Sequence, residues 1–258
     1  MTESLPWTGE RFIPNLDGNI AFEHLHRYSL ACLIAQGRKV LDIASGEGYG
    51  SRLLSSVASH VTGVDIDAQS VAHASGRYGA PNLVFKTGSC LEIPAEDGAF
   101  DVIVSFETIE HVDDHIAVYR EFRRVLSPTG TLFMSCPEKA VYSEGSGYVN
   151  PFHAKELYRA EFEELNQSHF SHCTFLQQKI VHGSAICPTT EDDAKHATFV
   201  GVLGNATKLH IGPQLHAAVY NLAICSNAAK TPAIVSLFEG LGLRTDLELV
   251  AEKLRTGL

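Results

Sequence analysis

Apolar positions along the chain change their period in a way that lays out alternating helices and strands. Over 21–36, Phe22, Leu25, Tyr28, Leu30, Leu33 and Ile34 recur at helical spacing, and Gly37 supplies a stop. The short run 39–43 is mainly apolar, consistent with a strand covered on both faces. A glycine-rich turn follows, then a helix over 49–57, a strand over 60–64, a helix over 68–78 and a strand over 83–86. Residues 94–98 read as a turn and 100–106 as the most strand-like run of the chain. The helical pattern over 114–126 is closed by Ser127-Pro128-Thr129-Gly130, and 131–136 is the next strand. Strands and helices alternating at short spacing imply a mainly parallel sheet with right-handed crossovers.

Past Pro137 the rhythm changes. A Gly/Ser-rich loop is expected over 138–151, a helix over 154–166, and two last strands over 174–181 and 217–226. Those strands would form an antiparallel hairpin around an insertion over about 183–216, which mixes Thr, Asp, Lys, His and Gly without clear periodicity. A structureless loop of that length is unusual unless it is functional or partly ordered. A helical pattern over 232–254 is broken at Gly240 and Gly242. The expected layout is an arm and cap helix (1–36), a doubly wound α/β domain with a seven-stranded, mostly parallel sheet (37–230), and a helical tail (231–258).

Composition adds mostly exclusions. The chain has 258 residues, 45% hydrophobic and 19% charged, which is enough to bury one large α/β domain. A formal charge of −10 argues against a nucleic-acid binder that works through a broad basic surface. Cys32, Cys90, Cys136, Cys173, Cys187 and Cys225 form no CxxC pair and mostly sit in apolar stretches, so a reduced cytoplasmic protein is expected. Segment 1–20 is polar, contains Pro6 and Pro14, and does not read as a signal peptide. Nor does any window offer the ~18 uninterrupted apolar residues of a membrane span.

The chemistry concentrates in Val40-Leu41-Asp42-Ile43-Ala44-Ser45-Gly46-Glu47-Gly48-Tyr49-Gly50. A buried strand runs into a turn with glycine at every second position, and the turn opens a helix whose N-terminal N–H groups face the same spot. The next strand ends in Gly63-Val64-Asp65-Ile66-Asp67, which places Asp65 about 20 residues beyond the turn, where a carboxylate can accept both hydroxyls of a ribose. The spacing is GxGxG, not the GxGxxG of dinucleotide sites. Asp42 beside it favours a cationic ligand over a pyrophosphate.

This series resembles the class I S-adenosylmethionine-dependent methyltransferases, motif by motif over roughly 39–138. Asp42 to Gly48 is similar to the family's first motif, with Ala44 in place of the first glycine. Asp65 and Ile66 correspond to the ribose strand end, and Ser89-Cys90-Leu91 to the loop that covers the adenine, where the family often carries Asp. Phe106 and Glu107 follow the fourth strand, and Arg124 to Leu132 resembles the junction before the fifth. The resemblance implies S-adenosyl-L-methionine as cofactor, with Arg27 and Tyr28 on the preceding helix at its methionine end and Arg11 in reserve.

Methyl transfer to a hydroxyl needs alignment and a base. His111, at the carboxyl edge after the fourth strand, and His153, after the fifth, are both candidates; His111 could instead cap the helix that follows. His111 and His115 are four apart on one helical face, but no third ligand is evident and no metal is expected. The arm 8–14, the segment 23–28 and the segment 150–158 resemble a bacterial subgroup associated with glycan and polysaccharide biosynthesis, which implies a sugar hydroxyl as acceptor. The histidine-rich insertion (His182, His196, His210, His216) suits a hydrophilic acceptor. A natural product or other small metabolite as acceptor, and a non-catalytic cofactor-binding regulator, are the alternatives; a homodimer is left open.

Overall fold

The computed structural model describes residues 18–181, 199–205, 208–213 and 215–238. Helix α1 (Asn19–Ala35) leads into β1 (Lys39–Ile43), α2 (Tyr49–Ser55), β2 (His60–Asp65), α3 (Ala68–Arg77), β3 (Leu83–Thr87) and β4 (Phe100–Phe106). Then come α4 (His115–Val125), β5 (Leu126–Pro137), α5 (Arg159–His169), β6 (His172–Gln178), β7 (Gly201–Asn205), β8 (Lys208–Gly212) and β9 (Tyr220–Ser226).

Seven strands form one sheet in the order β3-β2-β1-β4-β5-β9-β6. The first five are mutually parallel, whereas β9 runs antiparallel to both β5 and β6. This is the doubly wound sheet with an antiparallel C-terminal hairpin that the pattern called for.

Alternation along the strands explains the two covered faces. Val40, Val102 and Val104 pack with Tyr28, Ala31 and Leu54 on the face of α1 and α2. Leu41, Ile43 and Ile103 pack with Val118, Phe122 and Phe162 on the face of α4 and α5. A strand covered on both sides has no polar face to offer, hence the unbroken apolar runs.

Four local expectations are corrected. Ser127 to Gly130 belongs to β5, which starts directly from α4 and absorbs the turn as a register shift opposite Phe100 and Val102. The segment 138–151 is not all loop: Ala140–Glu144 winds into a π-helical turn. The helix expected from 154 begins at Arg159, because Glu138 and Leu157 form a parallel bridge that keeps the chain extended before it. Helix α5 then starts with the Glu161 carboxylate accepting from Tyr158 N at 2.9 Å. Inside the insertion, β7 and β8 form a two-stranded antiparallel ribbon.

Residues 231–238 carry no helix, and the remainder of the tail, the arm with Arg11, and Cys187 lie outside the described residues. Cys32, Cys90, Cys136, Cys173 and Cys225 are free thiols. Among the described residues no helix is long and apolar enough to cross a membrane.

Candidate functional site

Because β1 to β5 are parallel, the residues that follow them fall along one edge of the sheet: Ala44, Ile66, Gly88, Glu107 and Glu138. That edge is where open α/β sheets place their ligands. The loop after β1 is tightly curled, with positive φ at Ala44 (60°), Gly46 (54°) and Gly48 (96°). Ala44 adopts there the left-handed conformation that its glycine counterpart would take freely, at a cost of roughly 1–2 kcal/mol. A side chain at Gly48 would place Cβ 2.6 Å from Ala74 Cβ, and one at Gly50 would place it 2.0 Å from the Tyr28 ring. The absence of side chains at these two positions is what lets α1 and α3 close on the loop and the start of α2.

Three buried carboxylates organise this loop. Asp42 accepts from Tyr28 Oη at 3.0 Å and Ser51 Oγ at 2.6 Å. Burial pushes its pKa up to about 7 against those two hydrogen bonds, with the nearby Asp65 adding to the rise. Asp65 accepts Gly46 N at 2.7 Å and Asp67 N at 2.9 Å, which pins the loop to the end of β2. Glu47 is engaged by His73 Nε2 at 2.9 Å and Tyr78 Oη at 2.5 Å, tying the loop to α3 and the residue that caps it. Glu47 was not singled out from the sequence. Its partners lie 26 and 31 residues away, and nothing in a GxGxG spacing announces them.

Arg27 is 1% exposed, a large charged side chain fully inside the protein. Its Nη1 donates to Gln178 Oε1 at 3.0 Å and lies 3.4 Å from Glu107 Oε1, and its guanidinium stands 4.7 Å from the Tyr220 ring centroid. Burial opposes its charge, but Glu107, Tyr220, Glu23 and Tyr49 outweigh that and hold its pKa above the ordinary arginine value. Among the described residues, Nε and Nη2 of Arg27 have no hydrogen-bond partner. A buried guanidinium with two unused donors fits a carboxylate, and the methionine end of S-adenosylmethionine carries one.

Glu107 sits at the exit of β4 with φ of 49°, a strained conformation for a residue with a side chain. Its N–H donates to Ser135 O at 3.2 Å, while its carboxylate accepts from Ser135 Oγ at 2.6 Å. Phe106, just before it, stacks edge-on against Tyr28 and Phe133.

On the other flank, Gly88 N donates to Asp65 O at 3.0 Å, and Ser89 Oγ accepts from Leu91 N at 3.1 Å. Ile66 and Leu91 are exposed apolar side chains flanking this corner, suited in chemistry to cover a flat base; Cys90 instead packs toward the core.

The structure brings the two base candidates together. The rings of His111 and His153 are 5.0 Å apart, centroid to centroid, at 82°. His111 Nδ1 lies 2.9 Å from the Phe152 carbonyl, so it must be the donor nitrogen. His153 Nδ1 meets Glu156 Oε1 at 2.6 Å, its Nε2 is 3.0 Å from Asn150 Nδ2, and the ring stacks on Tyr142. Helix α4 is capped by Asp114, whose Oδ1 accepts Ala117 N at 2.9 Å, so His111 has no capping duty. His115, the other member of the pair considered as a metal face, is buried at the start of α4, and His111 is grouped instead with Glu110 and His153.

Glu156, Asn150 and Tyr142 were missed from the sequence. The one signal available was the three-residue spacing of His153 and Glu156.

Comparison with known proteins agrees with this geometry. Residues 41–134 match the family described as "Methyltransferase domain". That stretch is therefore similar to a methyltransferase domain, and S-adenosylmethionine is the cofactor that the names of the relatives imply. A probable S-adenosylmethionine-dependent methyltransferase of Mycolicibacterium smegmatis is 40% identical over 168 residues, 64% of this chain and 65% of the relative. A ubiquinone biosynthesis O-methyltransferase of Xanthomonas oryzae is 32% identical over 111 residues, 42% of this chain and 46% of the relative. The chain thus spans just under two thirds of the first relative and less than half of the second.

In fold, the YcgJ protein of Bacillus subtilis superposes with a TM-score of 0.56 at 18% identity, over 80% of this chain and all of that one.

Proposed function

We propose that this chain transfers the methyl group of S-adenosylmethionine to a hydroxyl of a polar acceptor, a sugar of a nucleotide sugar or glycan, with His153 as the base. The observation that carries the reading is the His153–Glu156 pair at 2.6 Å, half-enclosed at the carboxyl edge. A carboxylate on Nδ1 fixes the imidazole with its lone pair on Nε2 and stabilises the imidazolium that forms when it takes a proton. His111, one ring away, is the second candidate.

When bound, S-adenosylmethionine supplies a methyl group on a sulfonium. Its sulfur would leave as a neutral thioether that needs no acid, and His153 Nε2 would take the proton that the acceptor hydroxyl gives up. Arg27 and Asp65 would hold the two ends of the cofactor and so supply the alignment that methyl transfer needs. The ubiquinone biosynthesis relative, an O-methyltransferase by name, supports oxygen as the methylated atom.

The proposal is tested by following labelled methyl groups from S-adenosylmethionine into nucleotide sugars and phenolic metabolites in parallel. Sugar labelling that falls about 10²–10⁴-fold in His153→Ala, with cofactor affinity kept, is the expected result. Labelling confined to phenolic acceptors would favour the small-metabolite reading. That reading has its own support in the exposed apolar side chains Tyr148, Val149 and Phe152 beside the histidines. Undiminished turnover in both His153→Ala and His111→Ala would overturn the base.

A further inference from the structure

The groups around the acceptor side have a second property that the spacing of His111 and His115 does not convey. Glu110, His111 and His153 each offer one ligand atom, and the three atoms all lie within 4.8 Å of one another. They come from two distant stretches, the turn Ile109–His111 after β4 and the loop after β5. The two stretches are tied together by their backbones: the Glu110 carbonyl accepts from Ala154 N at 2.8 Å and from Lys155 N at 3.0 Å. The triangle of ligands is therefore set by main-chain bonds, not by chance apposition of mobile side chains.

Both imidazoles are prepared in the same way. An acceptor-only partner, the Phe152 carbonyl for His111 and the Glu156 carboxylate for His153, takes the Nδ1 proton. Each ring carries its lone pair on Nε2, the tautomer a metal ligand needs, and the outer hydrogen bond raises ligand basicity; at His153 that lone pair accepts from Asn150 Nδ2 at 3.0 Å, a bond the cation would replace. Glu156 is held in turn by the Ser143 hydroxyl. Glu110 is 1% exposed, so its carboxylate faces the cluster from the protein interior.

We propose that Glu110, His111 and His153 bind one divalent transition-metal cation. Two imidazoles and one carboxylate suit zinc, manganese, iron, cobalt or nickel, whereas calcium and magnesium call for more oxygen. Three protein ligands leave positions open, and His111 faces solvent on the open side. The binding itself stands apart from the function proposed above; its consequence rests on that reading. A cation here would polarise the same acceptor hydroxyl and lower its pKa, so that its proton would leave to solvent while His153 serves as a ligand in place of a base.

The test uses tag-free, full-length protein treated with a chelator and then titrated with Co(II), followed by visible absorption, and with Zn(II) and Mn(II) by calorimetry. One equivalent is expected to bind. His111→Ala and His153→Ala should each weaken binding at least tenfold, and Glu156→Gln should do so by about 10-fold through the lost outer hydrogen bond. His172→Ala, an exposed histidine on β6, should bind as the wild type does. Affinity for S-adenosylmethionine, measured on the same samples, should be unchanged in all four variants and so certify their fold.

No bound equivalent, or equal metal affinity in wild type and both histidine variants, overturns the site while leaving the methyl-transfer reading intact. Failure of cofactor binding in the metal-competent wild type would overturn that reading and not this one.

Discussion

The two halves of the sheet edge satisfy their polar groups in different ways. Around β1 and β2, the carboxylates of Asp42 and Asp65 find partners within 19 residues: Ser51, Tyr28, Gly46 and Asp67. Around β4 and β5 the partners are far off in the chain. His111 meets the Phe152 carbonyl across 41 residues. The first half is a local device that any chain with this strand, glycine loop and acidic strand end rebuilds. The second is assembled by the tertiary fold from loops, where specificity is free to vary.

The comparison is broken most forcefully at the local end. Gly50→Val would drive Cβ into a Tyr28 ring that is already flanked by Tyr49, Phe106 and Asp42. We expect a loss of about 3 kcal/mol in urea unfolding, with cofactor binding lost as well. A stability within experimental error of wild type would mean the loop is looser than described.

Arg27→Met comes next, because it removes the buried cation while keeping its volume. Cofactor affinity should fall by about 1.5–3 kcal/mol, the range for hydrogen bonds to a charged group. Full-strength binding would show that the guanidinium serves only Glu107 and Gln178.

Asp42 gives a pH signature. Its folded pKa, about 7, lies above the ordinary 3.8, so the folded state holds the proton more tightly than the unfolded one. Its contribution is fully present below about pH 4 and is lost as pH rises toward 7. Urea midpoints across that window should decline in the wild type and decline less in Asp42→Asn. Parallel slopes would contradict the burial account. The smallest effect belongs to the acceptor half: Phe152→Ala, on an exposed ring, should change stability by less than about 0.5 kcal/mol and leave cofactor affinity alone while altering acceptor KM.

What the sequence could and could not disclose follows the same division. Apolar runs located every strand of the main sheet, most clearly the central ones, which are covered on both faces, whereas β3 and β6 at the sheet edges are largely exposed or half-buried. The start of β5 was misplaced since Ser127 to Gly130, a turn signal in isolation, is part of that strand. Asp42, Gly46, Gly48 and Asp65 announce themselves by spacing. His111 and His153 were visible as candidates but not as neighbours. The bonds from the Glu110 carbonyl to Ala154 and Lys155 that bring them together involve backbone atoms, which leave no mark on residue identity. Gln178, Glu156 and Tyr142 act through side chains, but which residues those side chains meet is set by the fold: Gln178 meets Arg27 across 151 residues.

One calorimetric experiment addresses the division directly: titration of S-adenosylmethionine into wild type, Asp65→Ala and His153→Ala. The account predicts that Asp65→Ala weakens binding by about 1.5–3 kcal/mol, while His153→Ala binds as wild type does. Equal affinities in all three, or a loss confined to His153→Ala, would contradict the separation of a local cofactor half from an assembled acceptor half.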